Sequence, residues 1–436
     1  MAVINELHGV GNGPSGSEFK RDMCELYGNA GIPYVRLHDT EGLYGSGEYV
    51  NIHCIFPNFN ADVNNPESYN FIPTDTYLSF IVKAGTKIFY RFGETIENCD
   101  IFQKYIYPPK DYQKWAEICE HIIMHYNEGW ANGFHYGIEY FEIWNEPDNH
   151  RMWLGTPEEF YELYRVTANH LKKRFPNIKI GGFGSSGFYY AYRGENSIDW
   201  FKTLIPFARG FMEYITAPET KAPLDFFSWH CYTHEMDELE CVCKYAREFI
   251  DSYGFLKAES ILDEWNYALD WDWKEAKFRK SLTAAAFTTA ALITMQKNSV
   301  DKAMYYDAEV RRITFCGLFN EYSGLPEKPY YSLLAFNELK KLGTEIESGV
   351  KDGDGIYSLA ATDGKETAVL VANFKGRDKG RDAEITLKTK TTGNGACAFV
   401  YTLDEEHDLE LTDEFFINDK TALKIPKDAV VLIKIK

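Results

Sequence analysis

Two short stretches end in acids where bond-breaking chemistry would want them. Residues 139–148 read EYFEIWNEPD and residues 260–267 read SILDEWNY. In each, a run of large β-forming side chains stops at a glutamate, Glu146 or Glu264, with a tryptophan and an asparagine close by. A facing pair of carboxylates suits cleavage of a glycosidic bond. One protonates the leaving oxygen, and the other attacks the anomeric carbon when the two lie about 5–5.5 Å apart. Glu146, beside an aromatic ring and ahead of Pro147, is expected to be partly desolvated and to keep its proton, as an acid should. Glu264 must stay ionised, with Tyr232, Arg36 and His230 as candidate donors to it. Asn145 is placed to hold a sugar 2-hydroxyl.

Such groups need a scaffold that gathers strand ends. Over the first 340 or so residues, apolar runs at 32–38, 86–92, 139–145, 177–183, 223–230, 260–265 and 301–306 alternate with amphipathic helices, and LHGVG at 7–11 supplies an eighth strand. One helix is announced by Asp111 as a cap, another by Thr156, Pro157 and Glu159 as a capping box. Eight βα units imply a parallel (β/α)8 TIM barrel, whose chemistry sits at the C-terminal ends of its strands. A doubly wound sheet fits less well, because no GxGxxG opens the first unit. Glu146 and Glu264 then belong to strands four and seven.

Alternation of side chains assigns each strand end a face. Arg36 and His38 point inward on the second strand, and Arg91 closes the third. Glu142, Trp144 and Glu146 share a face on the fourth, His230 and Tyr232 on the sixth, and Glu264 points inward with Leu262 on the seventh. Tyr306 and Asp307 end the eighth, where Asp307 could bind a hydroxyl. Pro147 is expected to halt pairing, so that Asn145 and Glu146 both address the mouth. Arg36 and Arg91 lie deeper and are expected to pair with Glu142 or to orient Glu264. Loops around 40–80, 184–198 and 265–275 could wall the mouth into a pocket. The aromatic group Trp265, Tyr267, Trp271 and Trp273 could line an aglycone subsite or pack on the rim.

From about 345 the texture changes to short alternating strands separated by DG, KG and NG turns, which reads as an antiparallel β-sandwich. The expected division is a catalytic barrel over 1–343 and a sandwich over 344–436. The balance of 46 basic against 65 acidic residues, −19, disfavours nucleic acid and anionic membranes. No apolar run is long enough to span a bilayer. Nine cysteines without framework spacing, and an N-terminus without signal-peptide character, fit a reducing cytoplasm, with secretion of the native gene product left open. No cofactor is implied. The grouping of His230, Cys231, His234, Cys241 and Cys243 has poor zinc spacing, so no metal ligand is expected. Exposed strands of the second domain could support a homo-oligomer.

FEIWNEPD resembles the acid/base strand of the large retaining-glycosidase clan built on (β/α)8 barrels, and ILDEWNY resembles its nucleophile strand. More narrowly, PYVRLHDTEGLYG, PPKDYQKWAEIC, FEIWNEPDNHRMW, FYELYRVTANHLKK and the Pro-Tyr-Tyr helix near 330 are similar to glycoside hydrolase family 39, the β-xylosidases and α-L-iduronidases. The likeness runs over roughly 8–345. It implies Glu146 as acid/base, Glu264 as nucleophile, Asn145 as the 2-hydroxyl ligand, and His38 and His230 as sugar ligands. Two departures bear on the sugar. The family's xylosidases usually carry a tryptophan platform on the eighth strand, where this chain reads AMYYDAEV and must use Tyr306 or Tyr305. Its iduronidases place a lysine two positions after the sixth-strand histidine, where this chain has Tyr232, which argues against a uronic acid. The family's N-terminal extension is also short, so the sandwich is expected to lack a strand. The expected function is a retaining exo-glycosidase, first a β-xylosidase. The alternatives are β-glucoside, β-galactoside or α-L-arabinoside hydrolysis at the same centre, or a catalytically silent carbohydrate-binding barrel.

Overall fold

The computed structural model describes residues 2–14, 22–38, 40, 49–95, 106–269, 275–310, 315–349, 355–387, 396–417 and 421–436. Eight parallel strands close into a barrel in chain order: β1 (Glu6–Gly11), β2 (Tyr34–Arg36), β3 (Lys87–Phe92), β4 (Tyr140–Ile143), β5 (Lys179–Ser185), β6 (Phe226–Thr233), β7 (Glu259–Tyr267) and β8 (Lys302–Tyr305). The TIM-barrel expectation holds, LHGVG included. The helix signals hold as well: Asp111 accepts from Lys114 N, and Thr156 and Glu159 form the capping box. The Ala-rich helix Leu282–Lys297 is buried on nearly every side, which explains its small residues.

The barrel interior is layered. Its floor is Tyr34, Phe89, Tyr140, Phe226, Ile261 and Met304, packed as one apolar plug. Two residues further along the strands the lining becomes polar: Arg36, Arg91, Glu142, Ser228 and Asp263, all fully buried. Water is therefore excluded from below, and every charge in that layer must find its partner inside the barrel.

Behind the helix Lys328–Leu342 the chain enters a six-stranded antiparallel sheet, made of β9 (Thr344–Ile346), β10 (Ile356–Thr362), β11 (Thr367–Asn373), β13 (Cys397–Leu403), β14 (Asp408–Phe416) and β16 (Val430–Ile435) in the order β14-β13-β16-β11-β10-β9. The second layer is only a two-stranded pair, β12 (Ala383–Leu387) with β15 (Thr421–Ile425). Alternation gives the large sheet two apolar faces. Ala368, Leu370, Ala372, Val430 and Leu432 join the barrel's own core, while Val371, Val431, Ile433 and Ile435 meet Leu387, Leu423 and Ile425 of the small pair. Phe374 packs on Phe287 with ring centroids 5.5 Å apart, and Thr283 donates to Asp428 over 2.7 Å. Among the described residues no helix is long and apolar enough to cross a membrane.

Leu370 sits in that shared core. Its replacement by alanine should lower the unfolding free energy by about 2–5 kcal/mol in a denaturant titration. A loss well below that range would mean the sheet does not pack on the barrel.

Candidate active site

The site is organised around Arg36, the last residue of β2. Its Nε donates to Glu142 Oε2 at 2.7 Å and lies 2.8 Å from Asp263 Oδ2. Nη1 donates to Glu264 Oε1 and Nη2 to Asn145 Oδ1, each at 2.7 Å. Ser228 Oγ donates to the other Glu142 oxygen at 2.5 Å. Arg36 thus makes both contacts the sequence suggested for a deep arginine. Arg91 is equally buried, and its charge acts on Glu94, where burial raises the carboxyl and His53 and Arg91 oppose it.

Two backbone irregularities bring the glutamates in. Pairing of β4 stops at Ile143, and Trp144 and Glu146 adopt φ of 72° and 46°. The break therefore starts three residues before Pro147, and the proline is not its origin. Positive φ at a tryptophan and a glutamate costs about 1–3 kcal/mol each. The turn is pinned by Trp144 N to Phe92 O at 2.8 Å and Glu146 N to Gly184 O at 3.0 Å. Trp144 does not share a face with Glu142 and Glu146, as alternation suggested. Its indole turns to the helix side against Trp153, with centroids 5.2 Å apart, and donates to Met152 O. Asn145 and Glu146 are both released toward the mouth.

On β7 the register slips. Trp229 pairs with Leu262 but His230 pairs with Glu264, so Asp263 is an extra residue, a β-bulge. Leu262 lies in the barrel–helix core and Ile261 in the floor, so the expectation that Leu262 and Glu264 share parity is corrected. The bulge turns Asp263 and Glu264 inward together.

One carboxylate oxygen of Glu146, one of Glu264 and a ring nitrogen of His230 lie within 4.8 Å of one another. His230 Nδ1 is 2.8 Å from Glu146 Oε1 and 3.5 Å from Glu264 Oε2. Asn149 Nδ2 donates to Glu146 Oε2 at 2.9 Å, and the Tyr232 hydroxyl donates to Glu264 Oε2 at 2.7 Å. Burial lowers the His230 pKa, so the ring is neutral near pH 7. Burial pushes the Glu264 carboxyl above its usual range, and the opposing His230, Arg36 and Tyr232 only partly offset it. A cation could bridge the three side chains, but the Arg36 guanidinium already supplies positive charge to Glu264, and we assign no metal ligands.

His38 Nε2 is 3.7 Å from Glu264 Oε1, and its ring centroid is 6.2 Å from that of Tyr306. Tyr306 clusters with Tyr232, Ala268 and Phe315, whereas Tyr305 turns outward onto Trp265. Asp307 is fully buried, receives the Cys316 thiol at 2.9 Å and lies 3.5 Å from Asn12 Nδ2. Trp265 and Tyr267 are buried core residues. Trp271 and Trp273 lie outside the described residues, as do 41–48 and 270–274 of the expected mouth loops. Cys231 and Cys243 pack in the barrel–helix core. Sequence reading missed Asn149, Ser228 and Gly184. A Cβ at Gly184, with φ 57°, would stand 3.0–3.1 Å from Arg36 Nη2, Asn145 Oδ1 and His230 Nε2. The GGFG run at 181–184 was the legible trace of that crowding.

Eight parallel strands closed in chain order, with paired carboxylates at strand ends four and seven, define a (β/α)8 barrel whose polar groups gather at one mouth. Residues 10–261 match the family model for glycosyl hydrolases family 39. The chain belongs to that family. It is 26% identical over 244 residues to a β-xylosidase of Geobacillus stearothermophilus, covering 51% of this chain and 42% of that protein. The likeness therefore spans less than half the length of that relative. A glucosidase structure from Croceicoccus marinus superposes with a TM-score of 0.81 at 23% identity, covering 100% of this chain and 97% of the other. A structure of a monomeric β-xylosidase from Caulobacter crescentus CB15 follows with a TM-score of 0.70 at 15% identity, covering 99% and 96%.

Removing the guanidinium tests the core of the site. Arg36→Met should destabilise the fold by about 3–5 kcal/mol at pH 7, since it leaves buried carboxylates uncompensated. Although burial opposes it, Arg36 with its neighbours holds the Glu142 carboxyl below its usual range. That contribution is present above the unfolded value and is lost as pH falls through the lowered folded one, so the deficit of the variant should shrink in acid. Thermal melts across pH would show it.

Proposed function

We propose that the protein is a retaining, exo-acting glycoside hydrolase, with Glu264 as nucleophile and Glu146 as acid/base, whose substrate is a β-xyloside. The observation that carries the reading is the closeness of the two carboxylates, with oxygens within 4.8 Å. That suits direct attack, whereas an inverting pair stands about 6.5–9.5 Å apart to admit water. In the first step Glu264 forms a bond to the anomeric carbon while the glycosidic bond breaks and Glu146 gives its proton to the leaving oxygen. In the second, Glu146 takes a proton from water, whose oxygen attacks the anomeric carbon and frees Glu264. Neutral His230 serves both halves: its Nδ1 can accept from protonated Glu146 or, in the other tautomer, donate to the carboxylate. Arg36 fixes the Asn145 oxygen, leaving the amide NH2 as the end that can donate to a sugar hydroxyl.

Exo action is supported by the depth of the site, where Glu264 is only 5% exposed. Xylose is supported by the β-xylosidase relatives, and Tyr232 in place of a lysine disfavours a uronic acid. A β-glucoside is the second reading, because a glucosidase structure superposes over the whole chain with a TM-score of 0.81.

A panel of nitrophenyl glycosides tests the sugar: the β-xyloside should turn over fastest, and a faster β-glucoside would favour the second reading. Proton NMR should show the β-anomer formed first. An α-anomer would sink the double displacement. Glu264→Gly should lose at least about 10³-fold in kcat. Glu146→Gln should lose activity first on substrates with poor leaving groups.

The raised Glu264 carboxyl sets the acid limb of kcat/KM, since the nucleophile must be ionised and activity falls as pH drops through that value. Tyr232→Phe removes a donor to the carboxylate and should move this limb to higher pH. An unmoved limb would remove Tyr232 from the ionisation of Glu264.

A further inference from the structure

Beneath Glu264 one guanidinium serves too many acids. Glu142, Asp263 and Glu264 all contact Arg36 within 2.8 Å, and Glu142 and Asp263 have side chains with no solvent exposure at all. Three carboxylates against one cation would leave two uncompensated negative charges at the bottom of a sealed barrel, which the interior does not tolerate. Among the described residues, the charged or titratable groups around Asp263 are Arg36 from β2, Glu142 from β4, which shares the Arg36 Nε with it, His230 from β6 with Nε2 3.5 Å from Asp263 Oδ1, and Glu264 on its own strand. His230 is neutral, and Arg91 of β3 exerts its charge on Glu94.

The donors are unevenly shared. Glu142 receives Arg36 Nε on one oxygen and Ser228 Oγ on the other, and Glu264 receives Arg36 Nη1 and the Tyr232 hydroxyl. Both oxygens of Asp263 are buried and, among the described residues, accept no aligned N–H or O–H. A carboxylate without donors, beside a carboxylate that has them, is the group that takes the proton. We propose that Asp263 is a positioning residue: a neutral carboxylic acid that hydrogen-bonds Glu142, so that the pair carries one negative charge and cancels Arg36. Glu264 then ionises above a locally neutral base instead of a negative one. Burial, together with the neighbouring Glu142, pushes Asp263 upward in agreement, with Arg36 opposing. The β7 bulge gains a purpose, since without the extra residue only one of Asp263 and Glu264 could face inward.

The inference about Glu264 rests on the proposed function, but the proton does not. Infrared spectra of the whole chain at about pH 8, with and without isotope-labelled aspartate, should show a protonated-carboxyl carbonyl band that shifts with the label and disappears in Asp263→Asn. Glu142→Gln should abolish the band too, because Asp263 then becomes the partner of Arg36 and gives up its proton. The wild-type spectrum alone decides the matter if a variant fails to fold: a missing aspartate band overturns the proposal. In kinetics, Asp263→Asn should keep the acid limb of kcat/KM within about 0.3 pH unit, since it replaces a neutral group by a neutral group. A downward shift of about one unit or more would mean that Asp263 was charged, and would overturn it. A chain without glycosidase activity would refute the function and leave the infrared result standing.

Discussion

The Arg36 guanidinium is the interaction on which the rest of the site depends. Its planar fork reaches Glu142, Asn145 and Glu264 along separate N–H directions, tying β2 to the ends of β4 and β7 across the barrel. A lysine would offer a point charge and no such fixed spacing. The geometry only works because the apolar floor beneath keeps water out and the partners have few alternatives. Buried ion clusters are poor contributors to stability. This one is best understood as a jig that sets the position of the carboxylate above it.

The two places where the backbone departs from regular strands are the two places where the glutamates enter. Left-handed backbone at Trp144 and Glu146 rotates one acid to the mouth, and the bulge at Asp263 adds a second inward residue on β7. Strain and irregularity gather where side-chain direction matters more than ladder continuity. His230 then lies between the two acids, and the glycines of β5 leave the space in which these groups converge.

Much of this was legible in the sequence. The strand–helix rhythm gave the barrel, the capping signals at Asp111 and Thr156 gave helix starts, and the acids at the ends of WNE and LDE gave the centre. Strict alternation placed Arg36, His38, His230 and Tyr232 on the inner face, because those strands stay regular. It failed for Trp144 and Leu262, because period-two reasoning has no way to see a bulge or a left-handed turn. Donors such as Asn149 and Ser228 were invisible for a different reason: small polar residues on turns and strands are too common to announce a partner in a remote segment. A missing strand was expected from the family resemblance, but the make-up of the second layer escaped, since alternation reports that a strand has two covered faces without saying what covers each.

That last feature changes what counts as a module here. One side of the large C-terminal sheet is continuous with the packing of the barrel helices, through Leu370, Leu432 and Phe374. The junction after Leu342 is therefore a seam inside a common interior, and a cut there would strip the oil-side covering from Phe287 and its neighbours. Anyone seeking a minimal barrel fragment would need to resurface that helix, because the C-terminal sheet behaves as part of the wall and not as an appendage.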